Sequence, residues 1–328
     1  MMITTIALFL KQAIIQGIPL LYGSTGEIIT EKSGNLNLGI PGIMYIGGIS
    51  GIIGGYIYEF SGAELNPVLL ILIPLLSSIL GSLIMSLIYC VLTVTLKANQ
   101  NVTGLALTTF GVGMGNFFGG SLSSILGEGG TISLIETGKA FKQTLPFAKD
   151  LGLFGETFLS FGFLAYLSII IAVLASVFLN KTRKGMNLRA VGENPATADA
   201  AGINVTANKY IATCVGGAIA GLGGLYFVMD YVGGAWTNNG FGDRGWLAIA
   251  LVIFALWRPH TSILGSILFG GLYIVYLYIP DLSRSSQEIF KMLPYLVTIL
   301  VLIVTSIRKK REHQPPQSLG LSYFREER

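Results

Sequence analysis

Three stretches of the chain, residues 68–96, 157–180 and 261–280, run without a single Asp, Glu, Lys or Arg. A helix crosses the hydrocarbon core of a bilayer with ~20 mainly apolar residues, so runs of this length and purity dictate their own solvent. Residues 3–22, 38–58, 101–121, 208–231 and 291–307 come close to the same pattern. A shorter apolar run at 245–257 falls between a span and a buried turn. Charged residues make up 12% of the chain, against about 25% in soluble domains. The fold class is therefore all-α, a polytopic membrane helix bundle with about 8–10 transmembrane helices.

The basic residues sort by loop. Lys181, Arg183, Lys184, Arg189 and Lys209 cluster between two apolar runs, and the tail opens on Arg308, Lys309, Lys310 and Arg311. Placing both segments in the cytoplasm, where basic loops concentrate, puts most Lys and Arg inside and the N-terminus outside when 245–257 is counted as a span. Basic residues dispersed in this way form no single face for nucleic acid. The first apolar run lacks a basic leader and carries Lys11, so it reads as a retained span and not as a signal peptide.

On this reading residues 1–307 form the membrane domain, with an external segment over about 122–156 and a cytoplasmic loop over about 181–208. The external segment carries Gly127, Gly129 and Gly130 early and Lys139, Lys142 and Lys149 later. At that length it is either a docking element or a disordered or self-packed loop. Residues 308–328 form a polar cytoplasmic tail with a Pro pair, expected to be solvated, partly disordered and near anionic lipid.

Glycine supplies 43 residues, and ladders at Gly47, Gly51 and Gly55, at Gly111, Gly115 and Gly119, and at Gly217 and Gly221 each lie on one helix face. Close helix packing in lipid explains them, and helix mobility is the sharper alternative. The chain has no GxxxxGK[ST] loop, no HExxH and no Cys/His cluster with zinc spacing. It is not an enzyme by these criteria, and if ATP drives it the ATPase is another chain. Cys90 and Cys214 sit inside apolar runs as packing residues. Asp230, Asp243 and Arg244 fall near span ends, where snorkelling or pairing accounts for them without a proton relay.

The stretch RAVGENPATADAAGINV, residues 189–205, is polar in an otherwise lipid-adapted chain. Asn194 suits an N-cap, Pro195 the first helical turn and Gly202 the left-handed position that ends a helix. The helix between them is about two turns, ~10 Å, too short to stand alone. It needs packing, against its own domain or against a partner that its small Ala196, Ala198, Ala200 and Ala201 would let come close.

The wider segment KGMNLRAVGENPATADAAGINV resembles the cytoplasmic loop of the branched-chain amino acid, ribose and nucleoside group of ABC importer permeases, in which a short helix docks on the ATPase. The segment GEIITEKSGNLNLGIPGIMYIGG, residues 26–48, is similar to the one these permeases carry between their first two spans. The nucleoside, basic-membrane-protein-associated branch is nearest, through Glu31-Lys32-Ser33-Gly34 and Asn35-Leu36-Asn37-Leu38-Gly39. Pro41 departs from that branch, which commonly has an acidic residue before the second glycine.

The resemblance implies a permease subunit of an ABC importer for nucleosides, multi-pass in the bacterial cell membrane. It implies ATPase coupling through Arg189, Gly192, Glu193, Asn194, Pro195, Ala196, Asp199, Ala200 and Gly202. The partners would be an ABC ATPase subunit or tandem ATPase holding ATP and Mg, a second permease forming a heterodimer, an extracytoplasmic solute-binding lipoprotein and membrane lipid. This chain itself would bind no cofactor. Asn35, Asn37, Gly39 and Gly42 interrupt the start of a span, where irregular backbone is tolerated only beside protein or a watery cavity. They are candidates for the substrate path with Thr108, Thr109 and Asn116, and the competing account of all of them is local backbone satisfaction. The functional alternatives are an ATP-independent channel or facilitator, an ABC permease for a sugar or a branched-chain amino acid, and a non-transporting scaffold.

Overall fold

The structure, a computed structural model, describes residues 2–62, 64–125, 132–280, 282–308 and 314–325. Its helices, in chain order, are α1 (Met2–Glu31), α2 (Ile40–Glu59), α3 (Pro67–Cys90), α4 (Gln100–Ile125), α5 (Ile135–Phe141), α6 (Gly152–Phe158), α7 (Phe163–Lys181), α8 (Arg183–Glu193), α9 (Pro195–Ala200), α10 (Val205–Tyr226), α11 (Arg244–Phe254), α12 (Pro259–Ile274), α13 (Arg284–Lys291) and α14 (Leu293–Arg308). Wider turns prolong α3 to Thr95 and α10 to Tyr231.

Among the described residues, 7 helical segments are long and apolar enough to cross a membrane: Thr5–Glu31, Ile40–Glu59, Pro67–Thr95, Phe163–Lys181, Val205–Tyr231, Pro259–Tyr278 and Ser285–Ile307. At 26 residues α4 has the length, but its Gly, Thr and Asn residues dilute its hydropathy. The 11-residue α11 is ~16 Å long at 1.5 Å per residue, about half a bilayer. These are the two expected spans, 101–121 and 245–257, that do not qualify as crossing helices by length and hydropathy.

The first span was expected to stop at residue 22 and continues to Glu31. Nothing in GSTGEIITE breaks a helix, and Gly26 is pressed so closely on the Gly216 backbone of α10 that any side chain there would strike the Gly216 carbonyl. The same tight packing joins Gly47 of α2 to Gly221 of α10, so these ladder glycines serve helix packing. The centre of the bundle is α1, α2 and α10, flanked by α3 on α2 and by α12 on α1. Its core includes Tyr22, Ile43, Met44, Tyr89, Leu225 and Tyr226, all fully or nearly fully buried.

The doubtful run at 245–257 becomes α11, a half-length helix fed by an irregular segment, 232–243. Leu247 packs with Leu20 of α1 and Phe269 of α12, and beyond its end Trp257 donates to Glu31 at the foot of α1. Thus α11 runs beside the second half of α1, and the irregular segment before it reaches the middle of the bundle.

The segments expected to be cytoplasmic gather at one end of the bundle, here called the basic end. The tail does not behave as expected there. Residues 314–325 lie along the 181–209 loop instead of in solvent: Pro316 and Ser318 are buried, Ser318 N donates to Gly192 O (3.0 Å), and Gly320 N donates to Gly34 O (3.2 Å). The carbonyl of Gly192, in the last turn of α8, has no helical donor of its own, and the tail backbone supplies one.

At the opposite end the described part of the external segment packs on itself and its neighbours. The Glu59 carboxylate accepts from Glu136 N (3.1 Å) and Thr137 N (2.9 Å) at the start of α5. Leu134 N donates to Gly234 O (2.9 Å), and Trp236 N to Ile132 O (3.1 Å). Gly127, Gly129 and Gly130 lie outside the described residues.

Candidate functional site

The basic end presents the 194–202 helix as the capping residues dictate. Asn194 Oδ1 accepts from Thr197 N (3.0 Å) and Pro195 opens the helix. Gly202, at φ +81°, closes it: Gly202 N donates to Asp199 O (2.9 Å) and Ile203 N to Ala198 O (3.0 Å), the paired bonds of a Schellman ending. Ala198 is buried against Val191 and Val205, while Glu193, Asn194, Ala200 and Gly202 are exposed and Pro195, Ala196 and Asp199 half-buried. The helix thus docks on its own domain by one face and offers the other.

The loop holds more than that helix. α8 precedes it, capped by Thr182, whose hydroxyl accepts from Gly185 N (3.0 Å), and anchored by buried Leu188 and Val191. A cap residue followed by apolar positions three apart was its signal in the sequence. Gly192 is buried against the Lys32 backbone, which fixes the exit angle of α8. Arg189 donates to Asn180 Oδ1 (3.2 Å). Burial, reinforced by Arg189 and Arg258 and opposed by Glu193, lowers the Lys32 ammonium to about 8.

Behind this surface, Asn35 and Asn37 are fully buried. Asn35 Nδ2 donates to Thr213 Oγ1 (3.1 Å). Asn37 N donates to Glu27 Oε1 (3.0 Å), and Asn37 Oδ1 accepts from Gly39 N (2.9 Å) in a local turn. Glu31, four residues beyond Glu27 on the same face of α1, accepts from Trp257, which adopts a left-handed backbone at φ +55°. That conformation is strained for tryptophan, and the buried bond helps hold it. Glu27 Oε2, Asn35 Oδ1 and Asn37 Nδ2 have no hydrogen-bond partner among the described residues. Ending the first span at residue 22 leaves Glu27 and Glu31 outside it, and the continuous α1 places both within the bundle.

Gly39 and Gly42 belong to the same interior. Gly42 meets the Leu107 and Thr108 backbone of α4 with no room for a side chain, and Thr108 Oγ1 donates to Leu38 O (2.7 Å). The structure brings Asn35, Asn37, Gly39, Gly42 and Thr108 together as helix-to-helix joints. Thr109 is exposed and back-bonds to Leu105 O (3.1 Å).

Asn116 belongs to a different group. Its Nδ2 donates to Asn239 Oδ1 (2.9 Å) and its Oδ1 accepts from Asn239 N (3.2 Å), tying α4 to the irregular 232–243 segment. Trp236 of that segment lies on Gly115 and Gly119 of α4, stacks edge-on to Tyr45 (5.7 Å) and donates to Asn238 Oδ1 (3.1 Å). Thr237, Asn238 and Asn239 are exposed. None of the three is among the candidates named from sequence; their signal there is three consecutive polar residues between apolar runs.

Arg244 follows directly and is 7% exposed, so snorkelling does not describe it. Its guanidinium donates to Gln16 Oε1 (2.9 Å) at the midpoint of α1 and to Phe241 O (2.8 Å), and lies 4.7 Å from the Phe227 ring centroid. Among the described residues no three His, Cys, Asp or Glu side chains converge as metal ligands.

The model of the family described as "Branched-chain amino acid transport system / permease component" matches residues 9–302. The nucleoside ABC transporter permease protein NupC of Lactococcus lactis subsp. cremoris is 31% identical over 304 residues, 92% of each chain. TsgC13 of Haloferax volcanii, a provisionally assigned glucose ABC transporter permease, is 30% identical over 94% of each chain. The guanosine ABC transporter permease protein NupQ of Bacillus subtilis is 28% identical over 90% of this chain and 91% of that one. No solved structure matches the chain. With spans, buried joints and family match running over the same residues, this multi-pass membrane protein belongs to the permease components of the branched-chain amino acid transport system family.

Proposed function

We propose that the chain is the translocation subunit of an ABC importer for nucleosides, driven by an ATPase on a separate chain. The observation that carries this is the doubly capped helix α9, held to its own domain through Ala198 and exposed through Glu193, Asn194, Ala200 and Gly202. The nucleoside and guanosine permeases among its relatives support the substrate class. Basic loops favour the cytoplasm, which sets α9 on the ATPase side of the plasma membrane. A second permease and an extracytoplasmic binding lipoprotein complete the importer, with ATP and Mg on the ATPase.

Closure of the ATPase pair pushes on the surface made by Arg189, Glu193, Asn194, Pro195, Ala196, Asp199, Ala200 and Gly202. The push changes access only if the ATPase binds this surface differently in the two states. Buried Gly192 fixes the surface to the Lys32 turn at the foot of α1. The push therefore enters the central helix directly.

Along the path, Thr109, Asn116, Thr237, Asn238 and Asn239 offer neutral amide and hydroxyl groups to the base and ribose. Exposed irregular backbone at this depth is compatible only with protein or a watery cavity beside it. Asn35, Asn37, Gly39, Gly42 and Thr108 keep the helices that frame the path in register.

The test replaces Glu193 by Ala and, separately, Pro195 by Gly in the reconstituted importer. Nucleoside-stimulated ATP hydrolysis falls while nucleoside binding persists. Uptake that continues with no ATPase present would falsify the coupling and favour a facilitator.

A further inference from the structure

At the basic end, a cavity of about 530 Å³ opens between the end of α3, the α9 helix, the start of α10 and the docked tail. Lys209 of α10 lines it. This lysine is only 3% exposed, and among the described residues no hydrogen bond or ion pair holds its ammonium. An ammonium taken out of water without a counter-charge is costly, so the group is poised for an anion.

The surroundings are matched to one. Lys97 and Arg325 contribute cations to the wall, and Asp199 is its carboxylate. Asp199 is engaged by Arg325 (3.1 Å) and by the Tyr323 hydroxyl (2.8 Å). The Lys97 ammonium rests over the Phe324 ring (4.0 Å) and remains accessible. The cavity also meets the first turn of the 22-residue α10, where exposed Thr206 adds a hydroxyl. Asn204 Oδ1 already accepts from Ala207 N (2.9 Å), which leaves the Val205 and Thr206 N–H groups and the helix dipole to favour negative charge at this turn.

We propose that this cavity is a binding site for a phosphate-bearing anion, held by Lys209, Lys97 and the first turn of α10 and closed over by Arg325 of the tail. Two lysines, a helix start and a hydroxyl suit a phosphate better than a single carboxylate. The volume accommodates a phosphate with an organic group attached. The donor chemistry is common to a soluble phosphate ester and an anionic lipid headgroup. Once bound, the anion joins α3, α10 and the tail, and so holds the tail against the Asp199 side of α9. The site is independent of the transported substrate.

The test uses the full-length permease. In nanodiscs of phosphatidylcholine alone, inorganic pyrophosphate at constant ionic strength raises Tm saturably, and Lys209→Gln weakens the response about tenfold, the loss of one charge-assisted contact. That result assigns a soluble phosphate. In nanodiscs containing phosphatidylglycerol, retention of the anionic lipid through delipidation by the parent protein but not by Lys209→Gln, read by mass spectrometry, assigns a headgroup. If Lys209→Gln fails to fold, Lys97→Gln at the exposed rim carries the test with a weakening of about threefold. Equal behaviour of parent and variants in both arms overturns the proposal. So does loss of the ATPase subunit from Lys209→Gln with the anion response unchanged, because a protein carboxylate would then be the occupant.

Discussion

Two amide pairs lie within this bundle, and their fates differ. Asn35 and Asn37 turn inward, fully buried, onto Thr213, Glu27 and Gly39. Asn116 and Asn239 bond to each other across two elements and stand beside the exposed Thr237 and Asn238. The chemistry of the side chain is the same in both places. What separates a joint from a candidate contact is access: Asn35 and Asn37 are sealed among helices, whereas Asn239 is exposed and Asn116 half-buried.

The sharpest way to break this contrast is Asn37→Ala, which leaves the Gly39 N–H buried without its acceptor. A loss of about 1–3 kcal/mol is expected from one unsatisfied buried group, read as a lower Tm of the purified permease. A variant with unchanged Tm and failed uptake would make Asn37 a substrate contact and erase the distinction.

For the open pair the expectation reverses. Asn239→Gly, which keeps the left-handed backbone at φ +58°, leaves stability within about 0.5 kcal/mol of the parent, as for exposed sites, and lowers nucleoside uptake in the reconstituted importer about tenfold, ~1.4 kcal/mol. Asn116→Ala follows it, and the double variant loses less than the sum because the two amides act as one unit. Additive losses would show that each contacts the substrate alone.

The smallest effect is a pH dependence beneath the closed pair. Because burial lowers Lys32 to about 8 in the folded protein, the unfolded chain binds more protons at this site above that pH. Stability therefore rises as pH climbs from about 8 toward the ordinary lysine range, and Lys32→Met flattens the rise. Urea titrations at several pH values read it out. A parent protein with no such slope would mean that Lys32 is solvated and the closed region looser than its burial indicates.

Much of the bundle was legible in the sequence because the bilayer demands long apolar helices, and α3 and α12 contain no Asp, Glu, Lys or Arg while α7 has only Lys181 at its last position. The 195–200 helix was legible to the residue, since its start and stop depend on local caps at Asn194 and Gly202. What escaped depends on distant partners. The extension of α1 to Glu31 is packed by the close approach of Gly26 to Gly216, on a helix far along the chain. Burial of Arg244 depends on Gln16 and three aromatic rings, and the docked tail depends on the carbonyls of Gly192 and Gly34. Hydropathy records none of these pairings. For the path, the polarity of Asn35 and Asn37 was visible, and their complete burial was not.

The clasp of Ser318 on Gly192 joins residues 126 positions apart. During synthesis the α8–α9 loop leaves the ribosome while its clasp is still untranslated, and α10 through α14 must enter the bilayer before the tail can return to it. A half-made permease thus displays α9 without its strap. The α8–α9 loop reaches its finished packing, with Ser318 on Gly192 and Tyr323 on Asp199, only after the last span has been made.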